Sequence, residues 1–229
     1  MAASTELRFP VAAAGSDVSA LSLCPPRARF LYVLAHGAGA GMRHPSLERI
    51  ATALAERDVA TLRYQFPYME QRRSRVDAPD IAAATVRSAV EAAGREAEGL
   101  PLIAGGKSFG GRMTSTAQSR EPLPGVRGLA FLGFPLHPPG QPGIKRAEHL
   151  AAVQIPMLFL QGDRDEFANL SLLRPVVRDL GNRATLHVVK GGDHSFAVLK
   201  QSGRTPAEVL EELADTIADW GAVQCATGS

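Results

Sequence analysis

The chain has almost no cysteine: of its 229 residues only Cys24 and Cys225 carry a thiol, one near each end. Two scattered thiols make no disulfide framework. They point to free thiols in a cytoplasmic setting, although an oxidising compartment would allow them to pair. Aromatic residues are scarce, at 6% with a single tryptophan. Net charge is nearly absent too, at +2, so nothing in the charge balance calls for nucleic acid or an anionic membrane as partner. The small cluster Arg72, Arg73 and Arg75 reads as a solvated loop. No apolar run approaches the roughly 20 residues needed to cross a bilayer. The opening Met1-Ala2-Ala3-Ser4-Thr5-Glu6 lacks the basic and then apolar stretches of a signal peptide. Histidines and cysteines show no metal-ligand spacing, so neither a metal nor an organic cofactor is expected. The reading left by these absences is a soluble cytoplasmic protein that acts on a small molecule, with its oligomeric state open.

What the chain does have is hydrophobic content of 45%, punctuated by 22 glycines and 16 prolines. Strand-like and helix-like segments alternate, which predicts a single α/β domain over 1–229 with a mainly parallel sheet. Leu7–Ala12 and Val18–Leu23 form an opening antiparallel pair. Apolar strands follow at Arg29–Ala35, Val59–Tyr64, Leu102–Gly105, Gly128–Gly133, Met157–Gln161 and Ala184–Lys190. Helices are predicted from Pro45, from near Pro79, over Phe109–Ser119, and from the capping box Thr205-Pro206-Ala207-Glu208. The helical region after Asp165 is expected to be interrupted at Pro175. Phe66–Met69 and the Pro-rich Phe134–Gly143 read as loops.

Gly106-Lys107-Ser108-Phe109-Gly110 is the G-x-S-x-G nucleophile elbow, in which a serine sits on a sharp strand-to-helix turn. Ligands of open parallel sheets bind beyond the carboxyl ends of the strands, and those ends carry what acyl transfer needs. After Ala35 comes a Gly-rich turn, where Ala38 and Phe109 are the expected oxyanion donors through their N–H groups, with Gly39 second to Ala38. After Gln161 come Asp163 and Asp165, of which Asp165 is favoured because two residues of turn let it face the site. After Lys190 comes His194, so the order is Ser108, Asp165, His194, as in the elbow-type hydrolases. His36 has a structural role in this reading, His187 packs inside its strand, and His44, His137 and His149 lie in loops or on the surface. A phosphate loop is excluded because Pro101 stands where G-x-x-x-x-G-K-S needs glycine, and a dinucleotide fingerprint because Met42 stands at the third glycine.

Arg29 to Met42, Gly106 to Arg112, and Gly133-Phe134-Pro135-Leu136-His137-Pro138-Pro139 together resemble the α/β-hydrolase superfamily. More narrowly they resemble its small cap-less branch, related to dienelactone hydrolases and to the testis-expressed and NSL-complex hydrolase-like proteins. The likeness runs from about Phe30 to Trp220, and Tyr64–Met69 and Leu160–Asp165 match it as well. It implies a Ser108, Asp165, His194 triad and a serine hydrolase acting on an ester or thioester. Some relatives belong to protein assemblies, so a non-catalytic scaffold is the competing reading, and an amidase or acyltransferase would use the same triad. With only one short helix expected near Lys145–Ala152, the site should be open, bordered by Gly39, Phe66, Tyr68, Met69, Phe109 and Leu136.

Overall fold

A computed structural model describes residues 4–96 and 99–226. The first three residues of the stretch read for a leader lie outside them, as do the extreme ends of the 1–229 domain. Eight strands form one sheet: β1 (Thr5–Val11), β2 (Ser16–Leu23), β3 (Phe30–Ala35), β4 (Val59–Tyr64), β5 (Leu102–Lys107), β6 (Val126–Leu132), β7 (Met157–Gly162) and β8 (Ala184–Val189). Their order is β1-β2-β4-β3-β5-β6-β7-β8, with β1 and β2 antiparallel to their neighbours and the rest parallel.

The helices are α1 (Pro45–Ala55), α2 (Pro67–Glu70), α3 (Pro79–Glu96), α4 (Phe109–Arg120), α5 (Leu170–Leu180) and α6 (Pro206–Ala226). They cover both faces, which is why the central strands are apolar throughout rather than alternating. In β3 the side chains of Leu31, Val33 and Ala35 enter the core under α3 and α4, while Phe30, Tyr32 and Leu34 enter the core under α1 and α6. The capping box forms as read: the Thr205 N–H donates to Glu208 Oε2 at 2.7 Å, and the Glu208 N–H donates to Thr205 Oγ1 at 3.2 Å. Among the described residues no helix is long and apolar enough to cross a membrane.

Three local expectations change. Helix α5 runs through Pro175 instead of breaking there. Proline removes the bond to the Ser171 carbonyl, but the Asn169 side chain caps the first turn at 2.9 Å, and Leu173 and Leu180 anchor the apolar face. Pro67 starts the one-turn helix α2 where a loop was expected. Strand β5 also continues to Lys107, so the strand passes directly into the elbow.

The site follows from the topology. Strand β3 has β4 on one side and β5 on the other, so the order reverses between β3 and β5 and leaves a crevice at their carboxyl ends. Beside it, the connection from β6 to β7 holds only a loop and the 3-10 segment Lys145–Ala152, with no helical cap.

Candidate active site

Ser108 joins β5 to α4 with φ 49° and ψ −112°, a conformation that costs an L-residue on the order of 1–3 kcal/mol. Two glycines permit it. A Cβ on Gly106, which has φ 146°, would lie 2.3 Å from the Ala35 carbonyl oxygen, and one on Gly110 would lie 2.6 Å from that of His36. At these two positions the crowding comes from the end of β3, and at Gly111 it comes from β5 itself, where a Cβ would lie 2.7 Å from the Gly106 carbonyl oxygen. The Ser108 N–H donates to the Leu132 carbonyl at 3.1 Å, completing the turn.

The histidine comes from the loop after β8. Asp193 shapes that loop by accepting the N–H groups of Ser195 and Ala197 at 2.8 and 2.9 Å. This places His194 Nε2 2.9 Å from Ser108 Oγ and His194 Nδ1 2.7 Å from Asp165 Oδ2. A proton on Nδ1 directed at the carboxylate leaves Nε2 free to accept from the serine. The Phe167 ring lies against the imidazole, 4.4 Å between centroids.

Asp165 is buried and accepts three hydrogen bonds: from His194, from the Gln161 amide, and from the Phe167 N–H at 2.8 Å. Gln161 in turn accepts the Phe134 N–H at 2.9 Å, so one side chain braces both the acid and the loop after β6. Asp163 points elsewhere, accepting the Gly191 N–H at 2.8 Å.

Lys107, the variable residue of the elbow motif, adds a contact that motif reading missed. Its Nζ donates to the His194 carbonyl and lies 5.5 Å from the centre of the Phe196 ring. Burial pulls this ammonium down to about 8, against the opposing pull of Asp165 and Asp193.

The turn after β3 sits beside the serine, since a Cβ on Gly37 would lie 3.9 Å from Ser108 Cβ. The Gly39 N–H is already given to the Tyr68 hydroxyl at 2.9 Å. Ala38 is exposed and, among the described residues, its N–H has no partner. Phe109 is the first residue of α4, where an N–H has no intrahelical acceptor. Beneath the turn, His36 accepts the Phe66 N–H at Nε2 and donates from Nδ1 to the Gly37 carbonyl at 2.7 Å. Burial lowers His36 to about 4, so it stays neutral.

Phe66, Tyr68 and Leu136 were expected to border the site, but all three are 0% exposed. Phe66 and Tyr68 are packed edge-on against Phe109, with centroids 5.2 and 6.4 Å away, and form the floor under the elbow. Leu136 is drawn inward as its N–H donates to the Phe167 carbonyl at 2.9 Å. Of the expected border only Gly39 is exposed, and Met69 is half-buried. Other histidines also move from their expected places. His137 is buried, and His149 is half-buried with Nε2 2.7 Å from Ser115 Oγ. His187 pairs with Glu212 at 2.7 Å instead of packing. Cys24 and Cys225 are free thiols. Among the described residues no cluster of three or more histidine, cysteine or acidic side chains could hold a metal ion.

A parallel sheet that brings a strained serine, a histidine and a carboxylate together at its strand ends defines an α/β-hydrolase. Over residues 28–222 the sequence matches the family described as "Alpha/beta hydrolase domain", and the chain belongs to that family. Solved structures share the fold. A dienelactone hydrolase from Anabaena variabilis is 18% identical at a TM-score of 0.76, with 96% of each chain covered. An α/β serine hydrolase without lid from Xanthomonas campestris is 19% identical at 0.71, covering 95% of this chain and 94% of that one. The esterase domain of a Rhodothermus marinus protein is 13% identical at 0.70, covering 96% and 98%.

Proposed function

We propose that this chain is a serine hydrolase that cleaves a carboxylic ester or thioester through an acyl-enzyme. The observation that carries this reading is the unbroken hydrogen-bond relay from Ser108 through His194 to Asp165, ending on a serine strained into an elbow. His194 Nε2 takes the hydroxyl proton as Ser108 Oγ attacks the carbonyl. Asp165 holds the ring in the required tautomer and balances the imidazolium. The oxyanion meets the N–H groups of Ala38 and Phe109. His194 then returns its proton to the departing alkoxide or thiolate. Water enters, loses a proton to His194 and attacks the acyl carbon, and that proton returns to Ser108 as the acid leaves.

The absence of a helical cap supports a shallow site open to small or extended acyl groups, so a p-nitrophenyl ester series should give a flat dependence on chain length. A fluorophosphonate probe should label the protein at neutral pH. In Ser108→Ala that labelling should vanish and turnover fall by about 10⁶-fold. A folded parent protein that neither labels nor turns over any ester would be a scaffold, and this reading would be wrong.

A further inference from the structure

Arg112 lies one turn beyond the elbow, and among the described residues neither it nor its neighbour Arg146 has a carboxylate partner. Arg112 lies in the first turns of α4, four residues after Ser108. Helical side chains lean back toward the amino end, and its Cζ accordingly lies 5.9 Å from the centre of the Phe109 ring. Its Nε is buried without a hydrogen-bond partner. Among the described residues the whole guanidinium makes no ion pair or hydrogen bond.

Arg146 belongs to the 3-10 segment that stands where a cap would be. Its N–H donates to the Leu136 carbonyl at 3.2 Å and its Nη1 to the His137 carbonyl at 2.9 Å, fixing it in the connection after β6, the strand next to β5. The two cations lie close enough that Arg146, after burial itself, lowers the pKa of Arg112, and burial lowers that of Arg146. Among the described residues no acid compensates either one. The nearby His149 is kept neutral, with its pKa lowered to about 4, and Arg120 is already paired with Asp80 at 2.8 Å. Two partly desolvated like charges are unfavourable unless an anion joins them. The amino end of α4 adds positive potential at the same place.

We propose that Arg112 and Arg146 form an anion subsite beside Ser108, and that the acyl portion of the substrate carries a carboxylate or phosphate group that binds there. The assignment of this anion to an acyl substrate rests on the serine-hydrolase reading; the anion subsite itself does not. A glutaryl ester, in which three carbons separate the scissile carbonyl from a carboxylate, is the probe for such a substrate.

The test compares mono-p-nitrophenyl glutarate with p-nitrophenyl valerate on the parent enzyme, Arg112→Gln and Arg146→Gln. The parent should favour the anionic ester in kcat/KM by about 10- to 100-fold, the worth of a charge-assisted hydrogen bond. Each variant should lose most of that preference, through KM. If Arg112→Gln does not fold, Arg146→Gln carries the same comparison. Equal rates for the two esters with Ser108 still active would overturn the subsite and leave the hydrolase reading intact. An independent arm titrates glutarate and inorganic phosphate into Ser108→Ala by calorimetry, with no turnover needed. Binding of either anion, weakened at least tenfold in Arg112→Gln, supports the subsite, and the tighter of the two identifies the group. If neither anion binds, the proposal fails whatever the protein hydrolyses.

Discussion

Besides the exposed cap of α1, where His44 meets Ser46 at 2.8 Å, the described residues contain two serine–histidine contacts of nearly equal length, and only one of them suits the nucleophilic attack proposed above. Ser108 Oγ lies 2.9 Å from His194, and Ser115 Oγ lies 2.7 Å from His149. Ser115 sits in the middle of α4, fully buried, and its hydroxyl donates to the Arg112 carbonyl at 2.9 Å. Its proton is therefore committed, and His149 must be the donor in that pair. Burial, then Arg112 and Arg120, lower His149 to about 4, the reverse of what a base needs. Ser108 is half-exposed on a strained turn, and its histidine is backed by Asp165. Proximity alone does not make a nucleophile. The direction of the proton and the group behind the imidazole decide it.

The sharpest way to break this contrast is to take away the backing. Asp165→Asn presents an amide that favours the wrong imidazole tautomer, and kcat for ester hydrolysis should fall by about 10⁴-fold. Asp163→Asn should show no such fall; if it did, the acid would be Asp163. A smaller effect is expected from Lys107→Met, which releases the His194 loop from its tether. Misplacing a catalytic group by about 1 Å costs on the order of 10²-fold, and the loss should appear in kcat more than in KM. The Lys107 ammonium loses its charge as pH rises through about 8, so the parent should lose kcat there while the variant's profile lacks that limb. An identical alkaline limb in both proteins would remove Lys107 from the positioning of His194.

The smallest effect concerns the neutral histidines. His36 and His149 both titrate near 4 in the fold, against an ordinary 6.5. Between those values the unfolded chain binds more protons, so stability drops as pH falls from 6.5 to 4, by up to about 1.4 kcal/mol per pH unit for each histidine. His149→Gln can still donate to Ser115 and should flatten the pH dependence of the urea midpoint in that window. An unchanged slope would mean that His149 is not held neutral.

The strand ends and the elbow were readable because local pattern determines them: apolar runs, glycines where backbones meet, and turn residues after each strand. The chain order of Ser108, Asp165 and His194 is likewise a linear property. Burial of Phe66, Tyr68 and Leu136 was not readable, because an aromatic run after a strand suits a floor as well as a wall, and only the position of Phe109 decides between them. Pro175 misled for a related reason, since the packing of Leu173 and Leu180 overrides a single lost backbone bond. Lys107 and Arg112 take their meaning from partners far along the chain, His194 and Arg146, that no spacing rule connects.

The bare connection between β6 and β7 has a consequence for engineering. Phe134 and Leu136 anchor its start and Leu150 its end, while Gly140, Gln141, Pro142, Ile144 and Lys145 project no buried side chain. Each doubling of a flexible loop costs only about 0.6 kcal/mol in closure entropy. A helical hairpin grafted between Gly140 and Lys145 would therefore leave the sheet and its anchors in place and roof the crevice. The fold has a ready port of entry for new selectivity that requires no change to the residues proposed to handle the proton.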